Sequence, residues 1–328
     1  MKKIITIIIS ACLMALGCFG LAACGNNNQN KNDKLSVVCT IFPEYDWVSE
    51  ILGENKDNVE LTLLLDNGVD LHSYQPSVQD IAKISTCDLF IYVGGESDAW
   101  VDNALKNATN KNMKVINLLE VLGDKVKTEE TVEGMEHEHE HSHEDEKEND
   151  EHVWLSLKNA EILCKKITSE LSALDKDNVA TYENNFASYK QKLATLDKGY
   201  SSAVKNAKYK TLVFGDRFPF RYLVDDYNLK YYAAFAGCSA ETEASFETIV
   251  FLAGKVDELS LPAVCTIEGR EHKIAETVRN NTTTKNQKIL TFDSMQSTTS
   301  KDVKNGVTYL SVMENNLNVL KEALGVNA

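Results

Sequence analysis

The stretch DNVATYENNFASYKQKLATLDKGYSSAV, Asp177 to Val204, divides the chain. Within it Val179, Tyr182, Phe186, Tyr189, Leu193, Leu196 and Tyr200 recur at alternating spacings of three and four. That period puts all seven on one narrow stripe of an α-helix. The stretch holds no proline and one glycine, Gly199, so the helix runs unbroken, and at ~1.5 Å per residue it spans roughly 40 Å. A dimeric coiled coil is the competing reading, but the repeat is short and the charges beside the stripe are unspecific. We assign residues 177–206 to this linker helix. A helix of that length between two folded parts resists hinge motion, so the cleft between them is expected to close little.

Short β-rich runs alternate with helical patterns on both sides of it. Leu35 to Thr40, Val59 to Leu65, Asp88 to Val93 and Met113 to Leu118 read as strands, separated by helices at Tyr45 to Leu52, Ser77 to Ile84 and Asp98 to Asn107. After Lys210 the strands are Thr211 to Phe214, Lys230 to Phe235, Ala263 to Ile267 and Lys288 to Phe292. Their helices are Phe218 to Asp226, Ser245 to Leu259, His272 to Asn280 and Asp302 to Leu324. Strands alternating with helices give parallel sheets. The expected fold is α/β, with two lobes at 35–176 and 207–328, each a mainly parallel sheet flanked by helices, joined by one long rigid helix.

The N-terminus sets the compartment. Lys2 and Lys3 precede an apolar run from Ile4 through Leu21, then small residues before Cys24. This reads as a lipoprotein signal peptide over 1–23, since the run is short for a membrane span and lacks a stop-transfer signal. Cys24 becomes the lipidated N-terminus and residues 24–34 a flexible tether, which places the protein on the extracellular face of the membrane, held by lipid alone. The formal net charge of −15 argues against nucleic acid or anionic lipid as a partner.

Five other cysteines follow: Cys39, Cys87, Cys164, Cys238 and Cys265. None forms a Cys-x-x-Cys motif, and several sit among apolar residues as small buried hydrophobes. Cys238 with Cys265 is the one candidate disulfide.

Residues 129–151 hold twelve acidic side chains against one lysine. They have no apolar face at either period, so a disordered acidic loop over 125–151 is expected. A solvated spacer is the plain reading of such a run. Its histidines add something else: His137, His139, His141 and His143 alternate with acids, and imidazole beside carboxylate suits Zn²⁺. The loop is expected to collect metal weakly. His137 and His139 also open His-Glu-x-x-His matches, which would suggest a secreted zinc hydrolase. That motif needs a buried helix to set both imidazoles on one metal, and no neighbour here is apolar.

His152 differs, because Val153, Trp154 and Leu155 follow and Ser156 can cap a helix. A lone histidine there is ordinarily a core residue, so partners decide its role. Ligands of open α/β sheets gather at strand ends. The loop after the second strand carries His72 between Gly68 and Pro76, before a helix that Ser77 can cap.

The run Gly68 to Ser77, the acidic histidine loop leading into His152 to Ser156, the long helix, Glu268 with Lys273 to Thr277, and Tyr309 to Leu317 together resemble the metal-binding lipoproteins of bacterial ABC importers, the zinc and manganese class. The resemblance implies a metal held in the cleft by two ligands from each lobe. His72 and His152 match the first pair, and Asp293, after the strand ending at Phe292, falls where the family has a carboxylate. The family's third ligand, a histidine or in some manganese members a glutamate, falls at Arg217, and a guanidinium cannot ligate. Asp216 is the expected substitute, with Glu243 or Glu268 as alternatives, or a water. Arg217 is expected to pair with Asp216, Glu243 or Glu268 and hold the ligand loop in shape, and a histidine restored there to tighten binding.

The function implied is capture of extracellular Zn²⁺ by a monomeric solute-binding protein and its delivery to an ABC permease driven by a separate ATPase; the chain has no Gly-x-x-x-x-Gly-Lys-Ser/Thr loop of its own. Mn²⁺ is the alternative cargo, which two imidazoles and a histidine-rich loop disfavour. The protein is not expected to be an enzyme.

Overall fold

The structure is a computed structural model that describes residues 34–135, 148–239, 243–269 and 271–326. Both halves build the same layers. In the first, β1 (Leu35–Cys39), β2 (Val59–Leu63), β3 (Leu89–Tyr92) and β4 (Lys114–Asn117) form a parallel sheet in the order β2-β1-β3-β4. In the second, β5 (Thr211–Phe218), β6 (Lys230–Ala236), β7 (Ala263–Ile267) and β8 (Lys288–Phe292) follow the order β6-β5-β7-β8, again parallel. Central strands of such sheets are covered on both faces and carry unbroken apolar runs. Leu89 to Tyr92 and Ala263 to Ile267 are buried at every position.

Helices α1 (Phe42–Leu52), α2 (Val78–Thr86), α3 (Val101–Lys106), α4 (Leu118–Leu122) and α5 (Leu157–Leu174) belong to the first lobe. After α6 (Val179–Lys205) come α7 (Arg221–Asp226), α8 (Phe246–Glu258), α9 (Lys273–Asn281), α10 (Ser300–Lys304) and α11 (Tyr309–Ala323). The 27-residue α6 buries Tyr182, Tyr189 and Tyr200 on its inner stripe. Asn185 Nδ2 donates to Ile51 O (2.9 Å), and Tyr200 OH donates to Met313 O (2.7 Å). One helix is thus fastened to α1 at one end and to α11 at the other.

All eight expected strands form, and some boundaries move. The ladder of β5 continues through Phe218 instead of stopping at Phe214, because Arg217 pairs with Phe235 beyond an irregularity and the Phe218 ring stacks on Tyr231 at 3.7 Å. The helix expected from Phe218 therefore starts only at Arg221. The helix expected over 302–324 is two, α10 and α11, parted at Gly306, whose φ of +93° no helix accommodates. Helix α1 starts at Phe42, not Tyr45, since Pro43 fits its first turn.

The candidate disulfide does not form; Cys238 and Cys265 are both free thiols. β5 lies between β6, which precedes Cys238, and β7, which contains Cys265. Two strand spacings come to roughly 9–10 Å, beyond a disulfide's reach.

The loop over 125–151 is not uniformly irregular. Thr128 and Asn149 form an antiparallel bridge, with Glu129 N donating to Glu148 O (2.9 Å) and Asp150 N to Lys127 O (2.8 Å). Met135 is buried, and Gly134 O accepts from Thr248 Oγ1 (3.0 Å). Composition alone missed these flanks because what orders them is pairing between the two ends of the segment and a contact with Thr248, neither of which a period along the chain reveals. His137, His139, His141 and His143, like Cys24 and the signal segment, lie outside the described residues.

Candidate metal centre

His72 is placed by its own loop. Asp70 Oδ1 accepts from His72 N (3.0 Å) and starts a single 3₁₀ turn, Leu71–Ser73, pinned by buried Leu71. This is an aspartate cap on a turn too short to be a helix. The ring Nδ1 then stands 2.8 Å from Ser97 Oγ.

His152 is fully buried and held twice by one carboxylate. Asp150 Oδ1 accepts from the His152 backbone N (2.9 Å) and lies 3.0 Å from its ring Nδ1. Beyond it, Ser156 Oγ accepts from Asn159 N (3.1 Å) and caps α5, while Trp154 Nε1 donates across to Ser294 O (2.9 Å) in the second lobe.

With both δ nitrogens occupied, both ε nitrogens point at one place and stand 3.2 Å apart. Two nitrogens on a tetrahedral zinc, at ~2.0–2.1 Å each, stand roughly 3.3 Å apart. Two imidazole lone pairs facing at this distance repel unless a cation lies between them. A hydrogen on one Nε2, facing the lone pair of the other, removes that repulsion in the metal-free protein. Burial and then the neighbouring His152 charge push His72 down to about 3. Burial opposes charge on His152 too, but Asp150 and then Glu151 and Asp70 outweigh it and raise its pKa. A carboxylate behind a histidine is also the arrangement that orients and strengthens a metal ligand.

A third donor comes from the second lobe. Cys238 Sγ and a nitrogen from each of His72 and His152 all lie within 4.8 Å of one another, the one such group of three among the described residues. Cys238 follows β6 by two residues, its N–H donating to Glu129 Oε1 (2.8 Å). Gly237 seats this turn against the histidine: a Cβ there would meet Phe218 O at 2.9 Å and the His152 ring at 3.1 Å. Burial, and then the charge of Glu129, push the Cys238 thiol well up. Reading the chain for pairs of cysteines hid this residue. Its position just past a strand's C-terminal end was the available signal.

Asp216, expected as a ligand, is committed elsewhere. Its Oδ1 accepts from Arg217 N (2.9 Å), and its Oδ2 accepts from Thr266 Oγ1 (2.6 Å) and Ile267 N (3.3 Å), so it ties β5 to β7. Asp293 stands just after β8 with Oδ1 accepting from Met295 N (2.7 Å), outside the group of three donors. Glu268 accepts from Ser294 N (2.7 Å) and Ser294 Oγ (2.6 Å). Arg217 does not pair with Asp216, Glu243 or Glu268: its Nη2 lies 2.6 Å from Asp70 Oδ2 in the other lobe, and its Nη1 donates to Ser239 O (3.3 Å). β5 runs on through Phe218 and aims this side chain across the cleft, which the expected helix start would not have done. A cavity of about 550 Å³ lies here between the lobes, lined by Asp70, Ser73, Arg217, Ser239, Glu268 and His272 among others.

Comparison with known proteins follows the same outline. The family described as zinc-uptake complex component A, periplasmic, matches residues 37–323. The zinc-binding lipoprotein AdcA of Streptococcus pneumoniae (strain ATCC BAA-255 / R6) is 33% identical over 98% of this chain, which spans 61% of that relative's length. The high-affinity zinc uptake system protein ZnuA of Bacillus subtilis (strain 168) is 32% identical over 98% of this chain and 97% of its own. Among solved structures, the Zn(II)-bound ZnuA-like domain of Streptococcus pneumoniae AdcA is similar with a TM-score of 0.69 and 30% identity, covering 89% of this chain and 99% of that one.

Proposed function

We propose, from the premise that this chain belongs to the periplasmic zinc-uptake component A family, that it is the zinc-capturing solute-binding protein of an ABC importer. The observation that carries the reading is the pair of Nε2 atoms 3.2 Å apart, each ring tied at Nδ1 to an oxygen. Zn²⁺ replaces the proton between them and links the loop after β2 to the segment before α5. The cargo is zinc and not manganese because imidazole is a borderline-soft donor, while Mn²⁺ favours oxygen. Asp293, with one oxygen held by the Met295 amide, is the carboxylate proposed for the second lobe's share of the shell.

In this reading the apo site is nearly built. Asp150 and Ser97 fix the ring orientations, and α6 with the Trp154–Ser294 bond holds the lobes together. Metal binding then needs little closure. Cys24 carries the lipid anchor, the protein works as a monomer outside the membrane, and it hands zinc to a permease whose ATPase is a separate chain. It performs no hydrolysis of its own; the His-Glu-x-x-His matches fall among the acidic residues 137–143.

Competitive titration of the purified metal-free protein against a chromophoric chelator tests this. One tight zinc equivalent, with Mn²⁺ bound far more weakly, is expected. Tighter binding of Mn²⁺, or no tight zinc equivalent in folded protein, overturns it.

A further inference from the structure

We infer that Cys238 is the third zinc ligand, a thiolate brought by the second lobe to the corner that Arg217 leaves without a donor. The inference rests on the zinc reading and goes beyond it, since it gives the site a His₂Cys donor set. Three features of the fold point to it independently of one another. The sulfur and a nitrogen of each histidine form one group within 4.8 Å, as the donors of a single tetrahedral ion must, given Zn–S of ~2.3 Å and Zn–N of ~2.0–2.1 Å. Gly237 lets the turn lie flat against the His152 ring, where any side chain would strike Phe218 O or the imidazole, so the fold has made room to bring Cys238 close. The other four described cysteines, Cys39, Cys87, Cys164 and Cys265, are buried in the lobes, and Cys238 alone is partly exposed.

Arg217 explains why the donor comes from β6 and not β5. It occupies the corner but turns away to Asp70, and its Nη1 donates to Ser239 O, the residue next to Cys238. The guanidinium thereby braces the turn that carries the thiol. As zinc enters, the Zn–S bond forms, the S–H bond breaks and the proton passes to solvent. A thiolate lowers the net charge of the metal site by one and favours soft cations, so Cys238 adds to the discrimination against Mn²⁺ that the imidazoles supply.

Substitution of Co²⁺ into the purified protein tests the assignment. A sulfur-to-cobalt charge-transfer band in the near ultraviolet is expected, absent in Cys238→Ser, together with a loss of zinc affinity on the order of 10²-fold in that variant and a much smaller change for Mn²⁺. As a readout that needs no variant to fold, zinc should protect Cys238 from alkylation, followed by site-resolved mass spectrometry. A wild-type cobalt form without the band, equal alkylation with and without zinc, or Cys238→Ser that binds zinc within about twofold of wild type would each sink the thiolate while leaving zinc capture by the histidines standing. Folded wild-type protein that binds no zinc would overturn both.

Discussion

Arg217 Nη2 lies 2.6 Å from Asp70 Oδ2, while the other oxygen of the same carboxylate accepts from the backbone N of His72 at 3.0 Å. One aspartate therefore fastens β5 of the second lobe to the loop that carries a candidate ligand of the first. Burial alone would raise the Asp70 pKa; Arg217 and then His72 outweigh it and hold it below the usual carboxylate value.

The pair gives the first prediction. Asp70→Asn and Arg217→Gln should each weaken zinc binding and lower the unfolding temperature, and the double variant should lose less than the sum, with a coupling of about 1–3 kcal/mol for so close a pair. Arg217→His, expected from the family pattern to tighten zinc binding, should now weaken it, because it removes the brace and Cys238 already holds the corner. Additive losses in the double-mutant cycle, or tighter binding by Arg217→His, would contradict this account.

His72→Ala and His152→Ala should each reduce zinc affinity by on the order of 10²-fold or more, since loss of a ligand should exceed the 10–100-fold typical of an outer-shell partner. Asp150→Ala, which removes such a partner from His152, should fall within that 10–100-fold range. Asp216→Ala should act differently. Its carboxylate ties β5 to β7, so the thermal midpoint should drop while zinc affinity per folded molecule changes little. Chelator competition beside a thermal melt separates the two effects.

Removal of residues 136–147 should leave one tight zinc equivalent in place and abolish additional weak ones, because that segment carries four histidines among acids. The deletion must spare Glu129, which holds the Cys238 amide, and Asp150, which holds His152. Equilibrium dialysis counts the equivalents. Loss of the tight one would place the site in the loop.

Stability of the metal-free protein should fall as pH rises from about 6.5 to 8. Glu44 is fully buried, and burial, then the nearby Asp98, push its carboxyl up to about 8, although Oε2 accepts from Thr40 N (2.8 Å). Between the unfolded and folded values the native state holds a proton that the unfolded chain has released, so Glu44 alone lowers stability by up to ~1.4 kcal/mol per pH unit. Asp46, Asp98 and Glu268, which burial pushes up to about 7, add to the decline in the lower part of the window. His152, also raised, has the same sign in this window. His72 has the opposite sign, but its window runs from about 3 up to the ordinary histidine value and ends below it. Urea midpoints at the two pH values measure the slope, and Glu44→Gln should make it shallower. A midpoint that rises with pH would show Glu44 to be ionised in the fold.

What was legible in the chain follows from the range of the physics involved. Period-two and period-3.6 patterns are local, so eight strands, the α6 stripe and the two-lobe α/β order could be read from neighbours a few residues apart. His72 and His152 were legible for the same reason, each at a turn that its own flanking residues build. The second lobe's share of the site was not local. Asp70 and Arg217 are 147 positions apart, and Glu129 and Cys238 are 109 apart. Their meeting depends on how far β5 extends before the chain turns and on the packing of α6 and Trp154 that sets one lobe against the other. A residue type at a strand end says only that a donor is available. Which side chain stands beside the two imidazoles, Cys238 and not Asp216, was decided by tertiary packing: hydrogen bonds from Thr266, Ile267 and the Arg217 amide take up the Asp216 carboxylate, while the turn after β6 brings the Cys238 sulfur within 4.8 Å of a nitrogen of each histidine.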